Sequence, residues 1–309
     1  MQLLSHLDSK QKAQIFRLVN AAQDFDQVSP FAEHVLLHLQ HGGDRADQHL
    51  IVEKDDQIIG YAHIDATDKV LGPSVEVLVD PIHRSLGVAK SMLSKIIETF
   101  GDEIRLWAHG ELPAAKKLAK KFGLEKVRTV IQMQAKLDNL PALPENNYSV
   151  RTFLPGLDDS NWLSLNQKIF SNHPEQGRWK IDDLKIRMQE EWFDTTGFFL
   201  ITKETQIIGF CWTKIHGHSH KHETEVLNVE PMHDHAEIGE LYITGVDEKF
   251  EGQGLGKFLT ILGMRHLAQS GLKAAVLYVD FENSRARKLY EKLGFLEVSR
   301  DVMYKKLAN

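Results

Sequence analysis

The stretch Glu240-Leu-Tyr-Ile-Thr-Gly-Val-Asp-Glu-Lys-Phe-Glu-Gly-Gln-Gly-Leu-Gly-Lys257 decides how the rest of the 309-residue chain is read. It opens as a β-rich run, Leu241 to Val246, turns through Asp247 to Glu251, and reaches glycines at alternate positions, Gly252, Gly254 and Gly256. Beyond them Phe258, Leu259, Ile261, Leu262, Leu267 and Ala268 recur at roughly helical spacing. The unit is therefore strand, glycine loop, helix. Glycines let a backbone approach a ligand closely and take positive φ, and the helix that follows begins with unpaired N–H groups at the positive end of its dipole. Together they form a cradle for an anion, with pyrophosphate as the obvious guest. Two common phosphate loops are excluded, because no Gly-Lys-Ser/Thr is present and the glycine spacing is not the dinucleotide fingerprint. Taken alone, three glycines are also compatible with a plain turn at a helix start.

A second stretch, Leu277-Tyr-Val-Asp-Phe-Glu-Asn-Ser-Arg-Ala-Arg-Lys-Leu-Tyr-Glu-Lys-Leu-Gly-Phe295, reads as a strand, an Asn283 helix cap, a helix and a Gly294 stop. With both stretches in hand the sequence resembles the GNAT acetyltransferases. In that family an Arg/Gln-x-x-Gly-x-Gly/Ala loop holds the pyrophosphate of acetyl-CoA, and an Asn-x-x-Ala…Tyr-x-x-x-Gly-Phe element lies beside the thioester. Glu251 departs from the pattern, which has Gln or Arg there, and the added carboxylate is expected to weaken anion binding somewhat.

The totals set the class. With 42% hydrophobic and 26% charged residues the composition is that of a globular protein long enough for two domains. A net charge of −6 gives no electrostatic reason to bind nucleic acid or an anionic membrane. There is no apolar run of membrane-spanning length and no basic segment followed by an apolar core at the N-terminus, so a cytoplasmic protein, acting as a monomer, is expected. The single Cys211 excludes an internal disulfide and any cysteine-only metal site; its place in a strand makes it a small buried apolar residue.

In chain order, the pattern predicts helices over 10–22 and 30–39, a hairpin over 49–53 and 57–64, a strand over 74–79 and a helix from 89 to about 100. A strand over 104–108, a helix over 113–121 and a strand near 130–135 follow. The polar stretch Asn139 to Asn147, carrying Pro141 and Pro144, reads as a linker. The plan then repeats. Gln57-Ile-Ile-Gly-Tyr matches Gln206-Ile-Ile-Gly-Phe, and Val79-Asp80 matches Val246-Asp247. Arg84-Ser-Leu-Gly-Val-Ala89 matches Glu251-Gly-Gln-Gly-Leu-Gly256, and Lys117 to Leu124 matches Lys288 to Phe295. The expected fold is mixed α/β: a mostly antiparallel sheet with helices on both faces, built twice as tandem GNAT domains over 1–140 and 148–309, with 141–147 between them.

The repeat also exposes a difference. Without gaps Tyr290 falls opposite Ala119 and Glu240 opposite Pro73, so the first half lacks two ionisable groups that the second could use. Acetyl transfer from a thioester to an amine needs a deprotonated amine, a stabilised carbonyl oxygen, a protonated leaving thiolate and alignment. Glu240, as a carboxylate near an amine with a pKa of about 8, is the candidate base. Tyr290, whose ordinary pKa near 10 is close to that of a thiol, is the candidate acid. The competing readings are a solvated carboxylate at a strand edge and a helix residue packing on the sheet. His216, His218, His220, His222, His233 and His235 could in principle hold zinc, but their charged, Pro-containing surroundings read as a solvated hairpin loop, and no metal is expected.

Whole segments narrow the resemblance. Leu106-Trp-Ala-His-Gly110, Val130-Ile-Gln-Met133, Asn172-His-Pro-Glu-Gln-Gly177, Glu191-Trp-Phe-Asp194, Gly209-Phe-x-Trp-Thr-Lys214 and Gly239-Glu-Leu-Tyr242 look like the mycothiol synthases, a family of tandem GNAT enzymes. That resemblance implies transfer of acetyl from acetyl-CoA to the cysteinyl amine of cysteinyl-glucosaminyl-inositol, catalysed by the C-terminal domain. By motif position it implies that Glu33, Glu175, Lys214 and Glu240 contact the acceptor. It also implies that acetyl-CoA is lined by Thr244, Gly245, Val246, by Glu251, Gly252, Gln253, Gly254, Leu255, Gly256, Lys257, by Tyr278, and by Asn283, Ser284, Arg285, Ala286, Arg287, Lys288. Val77, Leu78, Val79 and Arg84, Ser85, Leu86, Gly87, Val88, Ala89 would line a second acetyl-CoA, bound without turnover. Another small-amine acetyltransferase, or an acyl-CoA-sensing protein with no turnover, remain open alternatives.

Overall fold

Alternating apolar residues build the strands and helical stripes cover them. A computed structural model describes residues 1–43, 46–68, 71–171, 173, 176–215 and 238–307. In chain order the elements are β1 (Gln2–Leu4), α1 (Ser9–Asp26), α2 (Glu33–His41), β2 (Asp47–Lys54), β3 (Gln57–Asp65), β4 (Ser74–Val79), α3 (Val88–Phe100), β5 (Arg105–Ala108), α4 (Pro113–Lys121) and β6 (Glu125–Lys136). There follow β7 (Ser149–Thr152), α5 (Asp159–Ile169), α6 (Ile181–Met188), β8 (Phe198–Lys203), β9 (Gln206–Ile215), β10 (Ile238–Val246), α7 (Leu255–Gln269), β11 (Ala274–Asp280), α8 (Ser284–Lys292) and β12 (Leu296–Lys305). The predicted strand 74–79 and helix 113–121 are found at those limits, while β1, α5 and α6 were not among the expectations. Residues 141–147 carry no helix or strand.

The chain divides into two compact units: Met1–Ile131 with Asp280–Glu282 and Ser299–Asn309, and Gln132–Val279 with Asn283–Val298. In the first, the strand order is β1-β2-β3-β4-β5-β12. All pairs given there are antiparallel except β4 with β5, and the C-terminal strand β12 sets Met303 opposite Trp107 on β5. Both sheet faces are covered. Ile15, Leu18 and Val19 of α1 and Val35 and Leu39 of α2 pack on one face; Met92, Leu93 and Ile96 of α3 pack on the other.

In the second unit the order is β6-β11-β10-β9-β8-β7, with β10 and β11 parallel and the chain of pairs from β10 to β7 antiparallel. One face is an aromatic core in which Trp162, Phe153, Phe198, Phe210 and Trp212 are fully buried. Phe198 stacks on Trp212 at 4.5 Å between centroids, and Trp162 meets Phe198 edge-on at 5.3 Å. Each ring of this kind contributes about 2–3 kcal/mol of apolar burial and its edge or face contacts about 1 kcal/mol more. The other face takes α7. Gly263 permits the close approach, since a Cβ there would come within 2.8 Å of Cys211 Sγ.

Candidate active site

The glycine loop folds as its composition dictates. Asp247 ends the strand and its carboxylate accepts from the Lys249 N–H at 3.1 Å, closing a single 3-10 turn over 248–250. Lys168 holds the same carboxylate at 2.7 Å, and this pairing, together with the Lys249 amide, outweighs burial and keeps the Asp247 pKa below the ordinary range. Gly252 and Gly254 then take φ of +78° and +79°, the left-handed region where a side chain costs about 1 kcal/mol or more. A Cβ at either would meet no atom within 4 Å, so the glycines serve backbone conformation and leave the loop's outer side open. Gly254 is the N-cap of α7, and no side chain caps that helix start. The first amides of α7, Leu255, Gly256 and Lys257, are therefore placed for an anion, which the donor set and the open space both fit.

Glu251 forms an ion pair with Arg285, at the first turn of α8. The carboxylate that departs from the family pattern is thus neutralised within the loop's own surroundings. Gln253 accepts from the Tyr148 hydroxyl at 2.8 Å. Asn283 caps α8 as its sequence context predicts, accepting from the Ala286 N–H at 3.1 Å, with Ser284 to Lys288 forming the first turns. Tyr278 on β11 is half exposed, and its hydroxyl accepts from Gln132 at 2.9 Å.

Where the loop's strand begins, β10 and β11 pair only over Ile238–Glu240 and Ala274–Val276, although β10 runs to Val246 and β11 to Asp280. Thr244, Gly245 and Val246 thus lie on β10 beyond the end of that parallel ladder. Glu240 stands at the point of parting, 7% exposed, with Val276 beside it on β11 and Lys214 opposite on β9. One residue later β10 is bulged. Leu241 faces Thr213 and Ile243 faces Trp212, so Tyr242 is the extra residue. The bulge changes the strand's parity: Gly239 and Leu241 lie against α7, whereas Ile243 and Gly245 lie against the aromatic core and α5.

Beside Glu240 the side chains form a cationic and aromatic wall. Lys214 Nζ sits 4.5 Å from the Trp192 ring centre and 5.5 Å from that of Tyr242. Arg187 lies 3.8 Å over Trp179 and donates to the Tyr242 hydroxyl at 2.7 Å. Such aromatic faces hold cations in a fixed place. Sequence reading singled out Lys214, quoted Trp192 within Glu191 to Asp194 without giving it a role, and missed Arg187 and Trp179; the signal available was the density of tryptophans between 162 and 212.

Tyr290 lies on α8, half buried, with its ring edge-on to Phe295 at 5.8 Å. Burial, and the neighbouring Cys211, raise its pKa above that of an ordinary tyrosine, so the phenol is protonated at rest. Cys211 itself is fully buried on β9. Burial pushes its thiol up to about 12, only partly offset by the Thr244 hydroxyl donating at 3.4 Å, which makes it a packing residue and no nucleophile.

Other expected residues lie in the first unit. Glu33 opens α2, Val77 to Val79 end β4, and Arg84 to Ala89 lead into α3. Arg84 is engaged by Asp26 through two hydrogen bonds of 2.7 Å. Glu175 and the histidines at 216, 218, 220, 222, 233 and 235 fall outside the described residues.

The chain matches the acetyltransferase (GNAT) family over residues 14–124 and again over 162–295. It is 44% identical over 298 residues to the mycothiol acetyltransferase of Acidothermus cellulolyticus, a match covering 94% of this chain and 90% of that one. The chain belongs to the mycothiol acetyltransferase branch of the GNAT family. A second relative, the mycothiol acetyltransferase of Streptosporangium roseum, is 38% identical with 97% of each chain covered. Among solved structures, a tandem GNAT protein from the clavulanic acid biosynthesis pathway superposes with a TM-score of 0.69 at 15% identity, covering 98% of each chain, which bears on the fold alone. Membership of this GNAT branch carries the enzyme class: an N-acetyltransferase with acetyl-CoA as donor. No helix among the described residues is long and apolar enough to cross a membrane.

Proposed function

We infer that the protein makes mycothiol, transferring acetyl from acetyl-CoA to the cysteinyl amine of cysteinyl-glucosaminyl-inositol. The observation that carries this reading is the agreement of relatives at 37–44% identity, all mycothiol acetyltransferases, with Glu240 set beside Lys214 where β10 parts from β11. Glu240 takes the proton from the cysteinyl amine. Backbone N–H groups of Thr244 to Val246 polarise the thioester carbonyl, and Tyr290, protonated at rest, gives its proton to the departing thiolate. The amides at the start of α7, with Glu251 to Lys257, Tyr278 and Asn283 to Lys288, hold acetyl-CoA. Lys214 and Glu175 meet the acceptor, whose ammonium and hydroxyls suit carboxylates and an aromatic-supported lysine.

In this reading residues 148–309 supply the catalytic site. Residues 1–140 supply a second acetyl-CoA cradle, at Val77 to Val79 and Arg84 to Ala89, without turnover. Chemistry of this kind requires no metal, and the protein works as a cytoplasmic monomer independent of nucleic acid and membrane. The test is incubation with acetyl-CoA and cysteinyl-glucosaminyl-inositol, following CoA release and product mass beside a panel of other amines. Strong preference for that acceptor is expected. Turnover only with another amine would leave the transferase and remove its substrate; acetyl-CoA binding without any turnover would leave a sensor.

A further inference from the structure

The first unit contains a buried polar cluster that acetyl transfer does not use. His38 on α2, Asp47 at the start of β2 and His63 on β3 each offer a ligand atom, and these atoms lie within 4.8 Å of one another. His38 Nδ1 is 2.8 Å and His63 Nε2 3.4 Å from the same carboxylate oxygen, Asp47 Oδ2. Asp47 and His49 share a face of β2, and His63 is the cross-strand partner of His49, so the pleat itself delivers Asp47 and His63 to one side of the hairpin. We propose that His38, Asp47 and His63 form a zinc-class metal site that fastens α2 to the β2–β3 hairpin.

Three observations carry it. First, two imidazoles and one carboxylate are a borderline donor set suited to zinc and unsuited to magnesium or calcium, which take oxygen ligands. Around a tetrahedral zinc with bonds of about 2.0–2.1 Å, ligand atoms stand about 3.3–3.4 Å apart. The 3.4 Å pair already has that spacing, and the 2.8 Å pair of His38 and Asp47 must open by about 0.5 Å to reach it. Second, His63 Nε2 is buried and makes no hydrogen bond among the described residues, though it faces the carboxylate. A buried nitrogen whose nearest acceptor stands at 3.4 Å is poorly satisfied as a hydrogen-bonding group and has a purpose as a ligand. Third, only glycine is tolerated against the cluster: a Cβ on Gly43 would lie 1.8 Å from Asp47 Oδ2 and 3.2 Å from His38 Nδ1, so a side chain there would collide with two of the ligand atoms.

The element that gains is α2. It has nine residues and no side-chain cap at Ala32, so it is too short to persist on its own propensity. An ion bridging it to two strands adds binding free energy directly to folding. The side chain of His38 is 19% exposed while those of Asp47 and His63 are 2% exposed, which leaves one edge for the ion to enter and a fourth position for water.

The test must separate this site from the histidines of residues 216–235. The full chain with His216, His218, His220, His222, His233 and His235 all changed to Gln is stripped with chelator, equilibrated with a zinc buffer and analysed for bound metal by mass spectrometry. One zinc per chain is expected, with a Tm that rises on loading and falls with chelator, and a visible absorption band when cobalt replaces zinc. On this background His63→Gln and His38→Gln are each expected to weaken retention by at least about 100-fold, with the circular dichroism of the metal-free chain unchanged. No zinc retained by the loop variant, or one zinc that survives both substitutions, overturns the proposal. Should His63→Gln fail to fold, His38→Gln, at the exposed edge, decides alone.

Discussion

The two glycine loops of this chain share a backbone and differ in the side chains that could do chemistry. In the first unit Ser85 and Gly87 take φ of +65° and +85°; at the matching positions of the second, Gly252 and Gly254 take +78° and +79°. Asp80 and Asp247 precede them, each accepting an N–H two residues on and closing a single 3-10 turn. Gly87 and Gly254 then cap α3 and α7 in the same way, with no side chain at the helix start. Even the parallel ladders match, three residues long between β4 and β5 and between β10 and β11. Ser85 adopts the left-handed conformation without being glycine, so the turn and its helix impose the path and the residue type only eases it.

What differs is the furniture. The second unit has Glu240 where β10 and β11 part and Tyr290 on α8. Counted past the bulge at Tyr242, the position of Glu240 is held in the first by Ser74, flanked by Asp65 and Arg105 as Glu240 is by Lys214 and Val276, and not by the Pro73 of the gap-free match; Ala119 stands in place of Tyr290, and an ionic network lies beside β4. His109 Nε2 lies 3.1 Å from Glu76 and its Nδ1 3.1 Å from Asp301, and Glu76 also accepts from the Ala32 N–H at 2.8 Å. Burial alone would lower the His109 pKa, but the two carboxylates outweigh it and raise it to about 10. Burial would likewise raise Glu76, and His109 outweighs that, holding it at about 2. The loop backbone is thus common to both units, whereas the two side chains to which we assign turnover are not preserved by the repeat.

The comparison breaks most directly at those side chains. Glu240→Gln and Tyr290→Phe are each expected to lower kcat about 100-fold or more while leaving acetyl-CoA affinity unchanged in a calorimetric titration; full activity in either variant would remove the asymmetry between the units. Next come the paired glycines. Gly254→Ala and Gly87→Ala each force a side chain into the left-handed region at about 1–2 kcal/mol. The first should raise the KM for acetyl-CoA about tenfold, whereas the second should weaken a second binding event by a similar factor and leave kcat where it was. A loss of turnover in Gly87→Ala would show that the first cradle serves the chemistry.

The ionic network gives a pH signature. His109 has a folded pKa above its unfolded one, so its stabilisation is complete below about 6.5 and is lost as pH rises towards about 10. Glu76 is the opposite case, stabilising fully above its ordinary value and losing this as pH falls towards about 2. Thermal melts should therefore weaken between neutrality and pH 10, and His109→Gln should flatten that limb; an unchanged limb would assign it to other groups. The smallest effect is sought at Glu251→Gln. Releasing Arg285 from an exposed pair worth at most about 1 kcal/mol should tighten acetyl-CoA binding by no more than a few-fold, and salt should erase the gain.

Much of this was legible in the residues because it is local. The alternate glycines before an apolar helical stripe, the Asn283 cap and the Gly294 stop, at φ +90°, each depend on neighbours a few positions away, as does the alternation that predicts β2, β3 and β4. The internal repeat carried the tandem plan for the same reason. Less legible were elements whose apolar faces are broken by polar residues: α5, which buries Trp162, Leu165 and Asn166, and α6, which buries Leu184 and Arg187, gave no clean stripe.

By itself, then, the sequence determined the glycine loops, the caps, the strands that became β2, β3, β4, β5, β9, β10 and β11, and the family. Only the tertiary structure decided that β12 pairs with β5, residues nearly 200 positions apart, that a bulge at Tyr242 turns β10 from α7 towards the aromatic core, and that Glu251 is neutralised by Arg285. It also gathered His38, Asp47 and His63 from a helix and two strands. Local conformation is written in short-range sterics and hydrogen bonding, which a few neighbouring residues specify. Strand partners, bulges and side-chain clusters are chosen by which distant surfaces bury each other best, and that competition is settled only when the whole chain has folded.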